Sequence, residues 1–119
     1  MKESSPLNEA ITPWGKWEVL VDSSYCKVKR IIVNPEKRLS YQTHKKREEH
    51  WTIVKGIATV VLNDEEKTLH PGDKIFIPKG AAHRIGNFHQ EVMVFIEIQR
   101  GDYFGEDDII RLQDDYGRG

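Results

Sequence analysis

Gln42 to Gly56 reads QTHKKREEHWTIVKG, and Gly72 to Asn87 reads GDKIFIPKGAAHRIGN. Gln42 and His44 are two apart on an extended segment, so both side chains point to one face. A turn through Lys45-Lys46-Arg47 lets Glu49 return to that face at the start of the next strand. His83 lies beyond a Pro-Lys-Gly loop that folds it back over the same spot. Gln42, His44, Glu49 and His83 thus form a candidate ligand set for one divalent metal. Two imidazoles, a carboxylate and an amide oxygen suit Zn, Mn, Fe, Co or Ni better than Ca or Mg. Zinc is the first expectation, one ion per chain. Four protein ligands leave coordination positions for water or substrate.

Outward from these segments the chain reads as short strands separated by turns. Lys16–Val21 is extended, and Asp22-Ser23-Ser24 marks a hairpin turn. Tyr25–Asn34 is a long strand rich in β-branched residues. Its odd positions include Lys27 and Lys29, then Ile31 and Val33, so one end of that face approaches a polar cavity. Leu39–His44 is short and extended. Trp51–Val54 and Ala58–Leu62 are expected as a hairpin about Lys55-Gly56. Lys67–Leu69, Lys74–Ile77, Ala82–Ile85 and Val92–Gln99 follow, with turns between them. Turns every 8 to 12 residues predict an all-β antiparallel sandwich or small barrel. Residues 1–11 are expected as a flexible arm and 12–119 as a single domain. The tail from Gly101 is expected to be irregular, with a short helix start at Glu106-Asp107-Asp108.

The chain has 119 residues, 18 basic and 19 acidic, for a formal charge of −1. That balance gives no field argument for nucleic acid or an anionic membrane. Apolar runs are too short to span a bilayer, and the N-terminus has no apolar signal region. A single cysteine, Cys26, rules out an internal disulfide and fits a reduced, cytoplasmic protein.

The two segments resemble the motifs of the cupin family. The first motif, G-x5-H-x-H-x(3,4)-E-x6-G, aligns with Glu36, Gln42, His44, Glu49 and Gly56. The second, G-x5-P-x-G-x2-H-x3-N, is matched at every position by Gly72, Pro78, Gly80, His83 and Asn87. Glu36 stands where the family usually has glycine, and Gln42 replaces the first histidine. Over roughly residues 12–118 the chain is similar to one cupin subfamily, the type II mannose-6-phosphate isomerases. The likeness is carried by TPWGKWEVL, YCKVKRIIVNPEKRLSYQTHKKREEHWTIVKGIATV, IPKGAAHRIGN and GDYFGEDDIIRLQDDYGR. That subfamily typically has glutamine at the position of Gln42 and histidine at that of Lys46. Its domains usually end bifunctional enzymes that also carry a GDP-mannose pyrophosphorylase.

The resemblance implies a cupin jelly roll. It implies interconversion of mannose 6-phosphate and fructose 6-phosphate, with a proton moved between C2 and C1 through a cis-enediol. Lys46, His50 and Glu97 are then candidates for the base, and Arg84 for steadying a developing oxyanion. Arg38, Lys27 and Arg47 are candidates for gripping the phosphate. His50, next to Glu49, is expected to face away from the ligands, and His70 and His89 to be solvated. Trp51, Ile53, Phe76 and Phe95 are expected in the core. A homodimer is expected, because exposed strand edges need covering. Two other readings compete: a non-catalytic metal-cupin that senses a sugar phosphate or another small ligand, and a different metal enzyme such as an Fe(II) dioxygenase.

Overall fold

The computed structural model describes residues 5–117. Its strands in chain order are β1 (Asn8–Thr12), β2 (Gly15–Asp22), β3 (Cys26–Val33), β4 (Lys37–Arg38), β5 (Tyr41–His44), β6 (Arg47–Lys55), β7 (Ala58–Leu62), β8 (Glu65–Leu69), β9 (Lys74–Ile77), β10 (His83–Asn87), β11 (Met93–Gly101) and β12 (Ile109–Gln113). A short 3-10 helix, Glu106–Asp108, precedes β12. No helix among the described residues is long and apolar enough to cross a membrane.

Two antiparallel sheets face each other. One runs β1-β2-β3-β11-β6-β9; the other runs β12-β5-β10-β7-β8, with β4 also on β10. From β5 onward the chain alternates between them, and only the β7–β8 hairpin stays in one sheet. Its two-residue turn, Asn63-Asp64, has φ of 48° and 67°, the left-handed pair a tight hairpin needs.

This alternation corrects two expectations. Trp51–Val54 and Ala58–Leu62 are not a hairpin, because β6 and β7 lie in opposite sheets. The chain crosses at Gly56, where φ is 77° and a Cβ would meet the Val92 carbonyl oxygen at 2.9 Å. Only glycine fits there. The expected irregular tail ends in β12, which pairs with β5.

At the other terminus, Asn8–Thr12 forms an edge strand on β2 rather than part of a flexible arm. The polar character of an edge strand, which needs pairing on one side only, hid it from pattern reading. Residues 1–4 of the expected arm lie outside the described residues.

Side-chain alternation fills the space between the sheets. Val33, Ile53, Met93 and Phe95 from one sheet meet Ala58, Val60 and Ile85 from the other, all fully buried. Phe76 departs from expectation: it is 46% exposed on the outer face, while Ile75 and Ile77 turn inward. In β9 the period of two decides the face, and the larger side chain took the outward position.

The inward positions of the three central strands then change character along their length. β3 runs Val33, Ile31, Lys29; β11 runs Phe95, Glu97, Gln99; β6 runs Ile53, Trp51, Glu49, Arg47. Register aligns these changes side by side: Lys29 opposes Glu97, Glu97 opposes Trp51, and Gln99 opposes Glu49. One end of the barrel interior is therefore aliphatic and the other ionic.

Candidate metal centre and its cavity

The ionic end holds a cavity lined by residues of both sheets and of the C-terminal segment. Its centre is His44, Glu49 and His83, all buried, with one ligand atom from each lying within 4.8 Å of the others. β5 supplies His44, β6 supplies Glu49 and β10 supplies His83, as the sequence spacing predicts. Glu49 Oε2 lies 3.2 Å from His44 Nε2, and Oε1 lies 3.8 Å from His83 Nε2. Ligands about 2.1 Å from a tetrahedral metal stand roughly 3.4 Å apart, so the set fits a divalent ion. His83 Nδ1 lies 2.9 Å from the Ala81 carbonyl oxygen. Donating there fixes the tautomer that leaves Nε2 with its lone pair for a ligand bond.

Both imidazoles are held neutral. Burial, with Arg47 and His83 nearby, pushes His44 down to about 2. Burial also lowers His83, against the opposing pull of the Ala81 carbonyl. A neutral imidazole is the form that binds metal.

Gln42 also lines the cavity. Its Nε2 donates to Ser40 Oγ at 3.1 Å, so Oε1 is the end the amide offers. Gln42 and His44 face the same way, as expected for residues two apart on a strand.

Around these ligands stand charged groups. Arg47, expected in the turn before the next strand and as a candidate for gripping phosphate, is instead the first residue of β6 and is buried. Its Nε donates to Glu49 Oε2 at 2.9 Å, and a terminal nitrogen lies 3.4 Å from His44 Nε2. Burial opposes its charge, but Glu49, Glu97 and Glu106 outweigh that and raise it further.

Glu97 lines the cavity and is 5% exposed. The Trp51 indole N–H lies 3.1 Å from Glu49 Oε1 and 3.2 Å from Glu97 Oε2, bridging the two carboxylates. Burial, then the charge of Glu49, push Glu97 up to about 7.

The remaining expected site residues lie elsewhere. Arg84 alternates with His83 on β10. Its guanidinium donates to the Leu39 carbonyl, the Gln113 side chain and the Gln113 carbonyl. Although it borders the cavity, all three of its guanidinium nitrogens are engaged in tying β12 to β10. Arg38 is held by Asp115 through two bonds of 2.6 and 2.9 Å, outside the cavity. Lys46 is exposed, its ammonium 4.9 Å above the Tyr103 ring. The departure from histidine at Lys46 therefore does not touch the ligands. Lys27 does not line the cavity, whereas Lys29, two residues along the same face, does. The Lys29 ammonium pairs with Glu106 and sits 4.5 Å over the Trp17 ring. His50 faces outward as expected, against Glu48 and Phe76.

Three charged cavity residues were not among the expected site residues: Lys29, Glu106 and Arg111. The alternation of β3 did flag the Lys27–Lys29 face. Glu106 and Arg111 had no signal, because the tail reads as an acidic surface segment. It in fact crosses from β11 to β12 over the ionic end.

Comparison with known proteins is consistent with this geometry. The family described as Mannose-6-phosphate isomerase C-terminal matches residues 2–114. A mannose-1-phosphate guanylyltransferase of Sinorhizobium fredii is 44% identical over 105 residues, which is 88% of this chain and 20% of that protein. The chain thus spans about a fifth of the length of the curated relatives it matches. Among solved structures, the capsular polysaccharide assembling protein CapF from Staphylococcus aureus superimposes with a TM-score of 0.77 at 21% identity, covering 92% of this chain and 32% of CapF. The cupin domain of Schizosaccharomyces pombe Cnp3 gives a TM-score of 0.70 at 15% identity, covering 73% of this chain and 64% of that one. At such identities these two structures establish the cupin fold alone.

Proposed function

The chain belongs to the mannose-6-phosphate isomerase C-terminal family, and from that premise we propose that it interconverts mannose 6-phosphate and fructose 6-phosphate. The observation that carries the reading is the pair of carboxylates bridged by Trp51. Glu49 belongs to the ligand set, and Glu97, on the same indole N–H, stands beside it as a proton carrier. An aldose–ketose isomerase needs such a base beside the carbonyl it works on.

His44, Glu49 and His83, with the Gln42 amide oxygen, would hold the metal, zinc in the first instance. When bound, such an ion supplies Lewis-acid polarisation of the sugar carbonyl. The chain's own residues do the rest. Glu97 takes the proton from C2 and returns it to C1. Gln99, donating to Glu97 Oε1, and Trp51, on Oε2, hold its carboxyl in place. Arg47 fixes Glu49, and Lys29 holds Glu106 over the cavity. We include a homodimer in this reading; a monomer mass by light scattering would remove it.

The test is a coupled assay for fructose 6-phosphate on protein loaded with each divalent metal in turn, run beside deuterium exchange at C2 in D2O. We expect metal-dependent turnover that EDTA stops, with both turnover and exchange lost in Glu97→Gln. Metal-loaded protein that binds sugar phosphates but neither converts them nor exchanges the proton would leave the sensor reading in its place.

A further inference from the structure

Four cationic side chains line the cavity: Lys29, Arg47, Arg84 and Arg111. Three are engaged. Lys29 is paired with Glu106, Arg47 with Glu49, and Arg84 with Leu39 and Gln113. Arg111 differs, because its Nε is buried with no hydrogen-bond partner among the described residues. A buried, charged donor left unmade is costly, and folds keep few of them unless something outside the chain completes the bond.

Position adds to this. Arg111 pairs directly with Gln42 across β12 and β5, and directly opposed residues on antiparallel strands project to the same side. The Arg111 side chain therefore starts about 5 Å from that of a candidate metal ligand. Gln42, which it opposes, and Ile109, two residues before it on β12, line the same cavity and are uncharged. The three cavity carboxylates, Glu49, Glu97 and Glu106, are each bonded to another group. A divalent metal would add two positive charges to a cavity that already has more cations than anions. An anionic ligand relieves that excess.

We propose that Arg111 is the anchor for the phosphate of the cavity's ligand. The guanidinium fork matches two phosphate oxygens at once. One end of the ligand then sits on β12 while its carbonyl end reaches the His44–Glu49–His83 cluster. The assignment rests on the isomerase reading only for the sugar; the anchor itself requires only an anion with paired oxygens.

The test titrates fructose 6-phosphate, free fructose and inorganic phosphate into metal-loaded protein by calorimetry, for wild type, Arg111→Gln and Arg111→Lys. Metal content and melting temperature are measured on the same samples. We expect Arg111→Gln to weaken fructose 6-phosphate and inorganic phosphate at least 10-fold, with free fructose and metal content unchanged. Arg111→Lys restores the charge but not the fork, and should lie between. Phosphate should also raise the wild-type melting temperature above that in chloride of equal ionic strength, a readout independent of any variant's folding.

Phosphate affinities equal in wild type and both variants, or no shift with phosphate, would overturn the anchor. Acetate binding as tightly as phosphate would overturn it in favour of a carboxylate site. A wild type that isomerises with an unchanged KM in Arg111→Gln removes the anchor and keeps the enzyme. A wild type that binds phosphate through Arg111 but converts no sugar phosphate keeps the anchor and removes the enzyme.

Discussion

The two ends of the barrel interior are made by the same strands and obey opposite rules. At one end Val33, Ile53, Met93 and Phe95 are fully buried and apolar. At the other, two to four residues further along the same strands, Lys29, Glu49 and Glu97 are almost as buried and charged. Burial alone does not separate them. The apolar end gains free energy from removing hydrocarbon from water, roughly 1.5–3 kcal/mol for each large side chain. The ionic end loses free energy by desolvation and recovers it only through specific partners. Those partners are Arg47 for Glu49 and Glu106 for Lys29. The comparison teaches that this fold spends its stable end on holding an unstable one in place. Mutations at the two ends should therefore have different signatures.

The largest separation should come from His83→Ala. We expect complete loss of retained metal and of any turnover, well beyond the ~10–100-fold that loss of an outer partner of a metal ligand causes. The melting temperature of the metal-free protein should hold. Elemental analysis beside thermal melts checks this, and a metal-replete variant would break the comparison.

Phe95→Ala probes the other end and should do the reverse. Removal of a fully buried aromatic should cost about 3–5 kcal/mol in urea unfolding. Metal content per folded chain should be unchanged.

Glu97 sharpens the comparison through pH. In metal-free protein its carboxyl is raised from 4.5 to about 7, so the folded chain holds a proton that the unfolded chain has already released. Its contribution is most favourable below the unfolded value of 4.5 and is lost as pH rises through 7. The loss is about 3 kcal/mol at most. Glu97→Gln should flatten that fall in stability between pH 4.5 and 7, measured by urea titration with EDTA present. A wild type and variant with parallel pH profiles would show that the ionic end carries no such strain.

The smallest effect should be at Glu36, in the turn that follows Val33. Its φ is 61°, a left-handed conformation that disfavours residues with a Cβ by about 1 kcal/mol or more. Glu36→Gly should therefore raise stability by up to about 1 kcal/mol, leaving metal binding untouched. Equal denaturation midpoints would count against strain at that turn.

Some of this was legible along the chain because it is local. The period of two placed Gln42 with His44, turned His50 away from Glu49, and marked the lysine end of β3 as bordering a polar cavity. The motif spacing carried His83 to the same point, and the fold brings it together with His44 and Glu49. Other expectations failed where local pattern is silent. Arg38 and Arg84 read as phosphate or oxyanion groups because they are arginines near a ligand. Asp115 and Gln113, more than twenty-five residues away, had already engaged them. Lys46 and Arg47 are adjacent and read alike, yet one is exposed and the other buried beside Glu49. Only the start of β6 decides which.

The sequence by itself determined the all-β class, the strand faces and the His44–Glu49–His83 cluster, since alternation and turn residues act over a few positions. Tertiary structure alone decided which sheet each strand joins, that β6 and β7 part at Gly56, and that the tail closes the cavity with Glu106 and Arg111. Those outcomes depend on pairing between segments far apart in the chain. Their free energy comes from burial and from ion partners that no short stretch of sequence contains.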